Sequence, residues 1–170
     1  PRLSERIGAR IHFKREDLQP VFSFKLRGAY NRMVNISPEQ RKKGVICSSA
    51  GNHAQGVALA ARELGCDAVI CMPITTPAIK IEAVKRLGAT VALEGENYDA
   101  CQAYAKKRGV DEGRTFVPPF DDPLIVAGQG TIGMEIVRQL PSVEYVFVPV
   151  GGGGLISGIA AYVKSIRPDV

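Results

Sequence analysis

Short apolar runs alternate with longer stretches of helical spacing along most of this chain, and that alternation limits the fold more than any other feature. Val45–Ser48, Ala68–Met72, Thr90–Leu93, Thr115–Pro118 and Tyr145–Val150 read as strands. Helices are predicted between and after them, over 53–64, 77–87, 97–108, about 130–140 and 155–166. Gly65, Gly88 and Gly109 stand as stops, and Pro77 suits a first helical turn. Strands joined by crossovers of this length pair in parallel. The rhythm therefore predicts an α/β fold, a parallel-rich sheet with helices on both faces. Ligands of such sheets collect beyond the carboxyl ends of the strands. Two turns occupy such ends, each feeding a helix: Ser48-Ser49-Ala50-Gly51-Asn52 and Gly151-Gly152-Gly153-Gly154.

Composition removes several classes of function. The chain has 170 residues, 45% of them apolar, enough for one domain or two small lobes. Its net charge is +5, but the basic residues are scattered. Arg41-Lys42-Lys43 and Lys106-Lys107-Arg108 read as solvated helix ends, and no nucleic-acid motif accompanies them. Cys47, Cys66, Cys71 and Cys101 have no CxxC spacing, so no metal site is expected, and reduced thiols in an intracellular compartment are. No apolar stretch approaches the ~18 residues of a membrane span. No targeting peptide is visible, although the chain starts at Pro1 rather than Met.

The four glycines after Val146–Val150 leave their N–H groups open, and the next helix adds its unpaired amides and positive dipole end. That suits an anion, most often a phosphate; the plainer reading is a flexible turn. Gly128-Gln129-Gly130-Thr131-Ile132-Gly133 spells the dinucleotide pattern GxGxxG. It follows Asp121-Asp122-Pro123 rather than a strand, and no acidic residue ends a strand ~20 residues on, so it is rejected. A P-loop is excluded because no Gly-Lys-Ser/Thr follows the glycine run. In Ser49-Ala50-Gly51-Asn52-His53, the N–H groups suit a carboxylate and Asn52 an oxyanion; alone, Asn52 reads rather as a helix cap. Lys25 lies between Phe24 and Leu26 near the start of a helix. An apolar setting lowers a lysine's pKa and suits Schiff-base chemistry, whereas spacing alone favours a snorkelling side chain. One ligand satisfies a phosphate cup, an oxyanion donor and a reactive amine together: pyridoxal phosphate.

Lys14–Ala29 (KREDLQPVFSFKLRGA), Ser48–Ala58 (SSAGNHAQGVA) and Val146–Gly158 (VFVPVGGGGLISG) resemble the pyridoxal-phosphate-dependent threonine dehydratases, of the tryptophan-synthase-β group (fold type II). The resemblance spans essentially the whole chain. It implies that Lys25 carries the cofactor and takes the substrate's Cα proton. Phe24 would pack near the cofactor ring, and Asn52 would bond its 3′-oxygen. Gly151, Gly152, Gly153, Gly154 and the Leu155 N–H would cup the phosphate. Ser49, Ala50, Gly51, Asn52 and His53 would form the turn around the substrate carboxylate. Phe120, Gln129 and Gly130 would line the substrate cavity. No metal is implied.

The resemblance also separates near relatives. Serine racemases carry a serine where this chain has Ala50, and a polar residue where it has Phe120. Elimination from L-threonine, less well from L-serine, is then implied, giving 2-oxobutanoate and ammonia as the first step towards isoleucine. The alternatives are a serine racemase or catabolic dehydratase, or a non-catalytic binding module. Residues 17–121 would form a small lobe that closes over substrate. Residues 1–16 and 122–170 would belong to a larger lobe. The Arg167–Val170 end leads towards a further strand, so the chain reads as the N-terminal part of a longer enzyme. The residue facing the pyridine nitrogen and a regulatory region would follow Val170. The parent would be a homotetramer with neither nucleic-acid nor membrane partners. Its compartment would be mitochondrial in fungi, plastid in plants and cytoplasmic in bacteria, with the mitochondrion the single best expectation.

Overall fold

Four parallel strands form the centre of the structure, a computed structural model that describes residues 2–170. They are β1 (Val45–Ser48), β2 (Ala68–Met72), β3 (Thr90–Leu93) and β4 (Thr115–Phe116), in the order β3-β2-β1-β4. Val45 pairs with Ala68 and with Thr115, and Val69 pairs with Thr90. β1 and β2 are buried along their whole length, as strands covered on both faces must be. Alternate residues serve alternate faces. Val45, Cys47, Ile70 and Met72 join the larger core under α2 (Lys25–Val34) and α4 (Asn52–Glu63). Ile46, Val69 and Cys71 join a smaller one with Cys101 and Ala105 of α6 (Tyr98–Glu112). All four cysteines are unpaired and buried. Three short helices complete this part: α1 (Arg2–Ile7), α3 (Pro38–Lys43) and α5 (Ala78–Lys85).

Two long helices follow, α7 (Pro123–Gln139) and α8 (Gly154–Ile166), packed on each other through Ile132, Ile159 and Val163. α7 also packs on α2, so it stands between the helix that begins at Lys25 and the helix that begins at the glycine run. None of the helices among the described residues is long and apolar enough to cross a membrane.

Four sequence expectations are corrected. α7 begins at Pro123 rather than near residue 130. Asp122 caps it by accepting from the Leu124 and Ile125 N–H groups, and Pro123 occupies the first turn. The GxGxxG stretch lies inside this helix, and its glycines are packing surfaces. A Cβ at Gly128 would lie 2.6 Å from the Arg27 carbonyl oxygen, and one at Gly130 would lie 3.1 Å from the Gly158 carbonyl oxygen. Close approach of α2 and α8 outweighs the ~1 kcal/mol that each glycine costs a helix.

The second correction is α6, which runs past Gly109 to Glu112. Gly109 is buried against Ile46, and the helix ends at Gly113, in the left-handed conformation at φ 66°. Lys106-Lys107-Arg108 is therefore mid-helix, and Lys107 and Arg108 pair with Asp111 and Glu112 one turn on. The third is Tyr145–Val150, which forms no ladder. Val146 and Val148 turn inward to the α7–α8 cluster, while Phe147 is 93% exposed. The period-two pattern is real, but a strand exists only by pairing, and no described segment lies alongside. β4 is likewise shortened to two residues, because Pro118 and Pro119 cannot donate to a ladder.

Candidate cofactor site

A cavity of about 300 Å³ opens where the start of α2, the segment after β4, and the start of α8 meet. Phe24, Lys25, Pro119, Phe120, Gln129 and the Gly151–Leu155 turn line it, with Pro149 and Val150. Lys25 is the first residue of α2, and its backbone N–H donates to Ser23 Oγ at 3.2 Å. Its Nζ donates to the Pro119 carbonyl oxygen at 2.6 Å and lies 5.5 Å from the centre of the Phe24 ring. Burial lowers the Lys25 pKa, because desolvation disfavours the ammonium form. The segment leading into it contains Phe22 at φ 54°, the one non-glycine residue with positive φ among the described residues. Backbone held in that region is typical of functional sites.

The α2 end is clamped. The Arg27 guanidinium donates to Glu16 at 2.8 Å and to Glu135 of α7 at 2.6 Å; Lys14 also pairs with Glu135. These partners hold the Glu135 carboxyl down to about 2. The network ties residues 14–16, α2 and α7 together two residues from Lys25.

The glycine turn faces Lys25 across the cavity. Gly153 takes φ 87°, which a side chain resists, and precedes the first turn of α8. A Cβ at Gly152 would meet the Phe120 ring at 2.5 Å, and one at Gly154 would meet the Phe120 carbonyl oxygen at 2.8 Å. Ser37, Asn97 and Asp122 cap α3, α6 and α7 with their side chains, whereas α8 has no side-chain cap. Its first amides are thus open to an anion, with the positive end of the helix dipole behind them. Gln129, 1% exposed, presents a buried Oε1 with no hydrogen-bond partner. A reactive amine, an open anion cup and an unpaired polar atom in one cavity suit a phosphorylated aldehyde.

The other proposed contacts are not at this wall. Asn52 is exposed at the first turn of α4, where Gly51 is the cap position, so Asn52 does not cap the helix. His53 is buried, and its Nε2 donates to the Val117 carbonyl oxygen at 2.9 Å. Burial pulls its pKa down to about 4, leaving a neutral ring. The Ser49 N–H donates to the Cys71 carbonyl oxygen, and Ser49 Oγ accepts from the Gly51 N–H. Ala50 packs on the main core. Gly130 is occupied by its contact with α8, so its neighbour Gln129 faces the cavity. Sequence reasoning missed Pro119, whose carbonyl parks the amine; a backbone acceptor leaves no signal in residue type. A second, larger groove of about 530 Å³ crosses α2, α4 and α7, but it holds neither a glycine turn nor a buried amine.

Comparison with known proteins agrees with this geometry. Residues 1–170 match the family described as pyridoxal-phosphate dependent enzyme, and the chain belongs to it. It is 68% identical to a protein of Solanum lycopersicum named threonine dehydratase 1 biosynthetic, chloroplastic, with all of this chain and 28% of that protein aligned. The processed form of threonine deaminase isoform 2 from the same plant superposes with a TM-score of 0.98 at 56% identity, over 99% of this chain and 47% of that one. Maize serine racemase superposes with a TM-score of 0.96 at 36% identity, over 99% of this chain and 51% of that one. The chain thus spans under a third of the tomato dehydratase and about half of each structure.

Proposed function

We propose that this chain carries the cofactor-binding part of an L-threonine dehydratase. The single observation behind the reading is the desolvated Lys25 amine sharing one cavity with the open glycine turn at the start of α8. The amides of Gly151–Gly154 and Leu155 would hold the phosphate of pyridoxal phosphate. Phe24 would flank its ring, and Lys25 Nζ would hold its aldehyde carbon. When bound, the cofactor supplies an electron sink for the bond broken at the substrate Cα. Once the substrate's own amine displaces it, Lys25 Nζ would be free to take the Cα proton, and the β-hydroxyl would leave the neighbouring carbon with a proton, as water. Water then replaces the nitrogen, so the overall products are 2-oxobutanoate and ammonia. Phe120 and Pro119 line the cavity wall beside the amine.

Asn52 and the Ser49–His53 turn would act after closure of a small lobe, residues 17–121, which brings them over the substrate. Matching positions of this turn in structures with and without L-threonine would remove closure from the proposal. The tomato relative is named biosynthetic, which supports a place for the reaction in amino-acid synthesis, and the step towards isoleucine belongs to the same proposal. A homotetramer belongs to the same proposal, and sedimentation of the whole protein as a monomer would delete it.

The overall fold does not separate this function from that of a racemase, because maize serine racemase superposes almost as well as the tomato deaminase. Residue 50 does. An alanine methyl, partly buried against the core, offers no hydroxyl to return a proton on the opposite face, which supports elimination. The whole protein, incubated with pyridoxal phosphate and L-threonine, should release 2-oxobutanoate. With L-serine it should release pyruvate more slowly, since one methyl is worth only ~1–3 kcal/mol. Appreciable D-serine would favour the racemase instead, and no product from either amino acid would leave a binding module.

A further inference from the structure

Among the described residues, the cavity wall carries two polar side chains, the Lys25 amine and the Gln129 amide. They are in unequal states. Nζ has an acceptor, the Pro119 carbonyl oxygen. Gln129 Oε1 is buried and has none. Native proteins rarely leave such an atom unpaired, so it implies a donor that enters the cavity. The other polar side chain on its own wall ends in the ammonium group, which has three hydrogens and one acceptor.

The packing brings the two groups to one face. Lys25 and Gly28 are three residues apart on α2, so they share a side of the helix. A Cβ at Gly28 would overlap Gln129 Nε2, so the amide lies there only because residue 28 has no side chain. Gly128 fixes the adjoining backbone, since a Cβ there would lie 2.7 Å from the Gly28 Cα. The α2–α7 crossing thus aims the amide along the helix face that bears the amine. The Arg27–Glu135 pair locks the same crossing.

We propose that Gln129 is a positioning residue for the Lys25 amine. Its Oε1 accepts a hydrogen bond from Nζ as the amine swings off the Pro119 carbonyl into the cavity. The bond holds Nζ between Phe24 and the glycine turn while it is free to take or return a proton. This role rests on the function proposed above. The amide oxygen favours the ammonium form, against the burial that disfavours it. His53 of α4 is the other titratable group that senses this charge, and its neutral ring adds none.

The test is the pH dependence of Lys25 labelling by pyridoxal phosphate and borohydride, read by peptide mass. It compares the wild-type chain with Gln129→Leu and Gln129→Glu. Leu keeps the volume and removes the acceptor, so the midpoint should fall by about one pH unit. Glu places a carboxylate at the same point, so the midpoint should rise by a similar amount. Opposite shifts support the role; an unchanged midpoint in a folded variant, or shifts of one sign, overturn it. If only one variant folds, the direction of its shift decides. If neither folds, the wild-type Gln129 side-chain carbonyl resonance decides: it should move at the Lys25 midpoint, and a flat resonance overturns the role. Absence of label on wild-type Lys25 would overturn the functional reading instead.

Discussion

α4 and α8 begin alike and end up in different situations. Each follows a short apolar extended run, each starts after glycine, and neither has a side-chain cap. The turn before α4 closes β1, a strand paired on both sides, and uses its own amides: Ser49 reaches across to β2, and Gly51 reaches back to Ser49. The turn before α8 follows a run with no ladder, holds a left-handed glycine and faces a cavity shared with Lys25. Similar sequence positions therefore differ in what they leave free. The first turn has spent part of its hydrogen-bonding capacity on the fold, and the second keeps it for a ligand. Space differs in the same way. A Cβ at Gly51 would meet nothing within 4 Å, whereas one at Gly152 would enter the Phe120 ring.

The sharpest way to break this contrast is at Lys25. Lys25→Ala should lower 2-oxobutanoate formation on the order of a thousandfold or more, because it removes the only amine that the described residues place at the cavity wall. Asn52→Ala, at the other turn, should leave measurable turnover. Equal losses in a direct turnover assay would erase the distinction. Next in size is a pair of alanine substitutions. Gly152→Ala should weaken pyridoxal phosphate binding by roughly tenfold or more, as a clash of a few kcal/mol at a phosphate cup implies. Gly51→Ala should change it by less than about threefold. Fluorescence titration with the cofactor measures both, and a tolerant Gly152 would mean that the cup is not built as described.

Protonation gives the smaller effects. His53 is held neutral with a pKa near 4, against 6.5 for a free side chain. Its contribution to stability is therefore complete above pH 6.5. It is lost as pH falls towards 4, because the unfolded chain takes up a proton that the folded chain refuses. His53→Gln should flatten urea-denaturation stability across that window, and an unchanged slope would show the ring to be solvated. Glu135, depressed to about 2 from 4.5 by Arg27 and Lys14, acts lower. Its contribution is present above pH 4.5 and fades as pH falls towards 2. Glu135→Gln should make acid unfolding shallower in that interval. The effect should be modest, because Glu135 is about one-third exposed.

What could be read from the sequence follows the range of the forces involved. β1, β2 and β3 were legible to the residue: β1 and β2 because burial on both faces demands continuous apolar runs, and β3, a partly exposed edge strand, from its own short apolar run. The Lys25 helix and the glycine turn were legible because their residue types are unusual for their positions. The start of α7 was misread because Gly128 looks like a helix breaker until the α2 backbone is in place against it. The Asp122-Pro123 start was there to be read as a cap. Tyr145–Val150 kept its alternation but not its partners, since pairing is a property of two segments and only one carries the signal. Within the site, side chains were easier than backbone: Phe24, Lys25, Phe120 and Gln129 meet at one cavity, while the Pro119 carbonyl had no residue-type signature.

The central claim is that the Lys25 amine and the glycine turn form one site for one phosphorylated aldehyde. Borohydride trapping of the wild-type chain with pyridoxal phosphate, beside pyridoxal without its phosphate, tests it directly. Peptide mass mapping should find the label on Lys25, at far lower concentrations of the phosphorylated compound, with that preference lost in Gly152→Ala. Label spread over surface lysines, or equal labelling of Lys25 by both compounds, would contradict it.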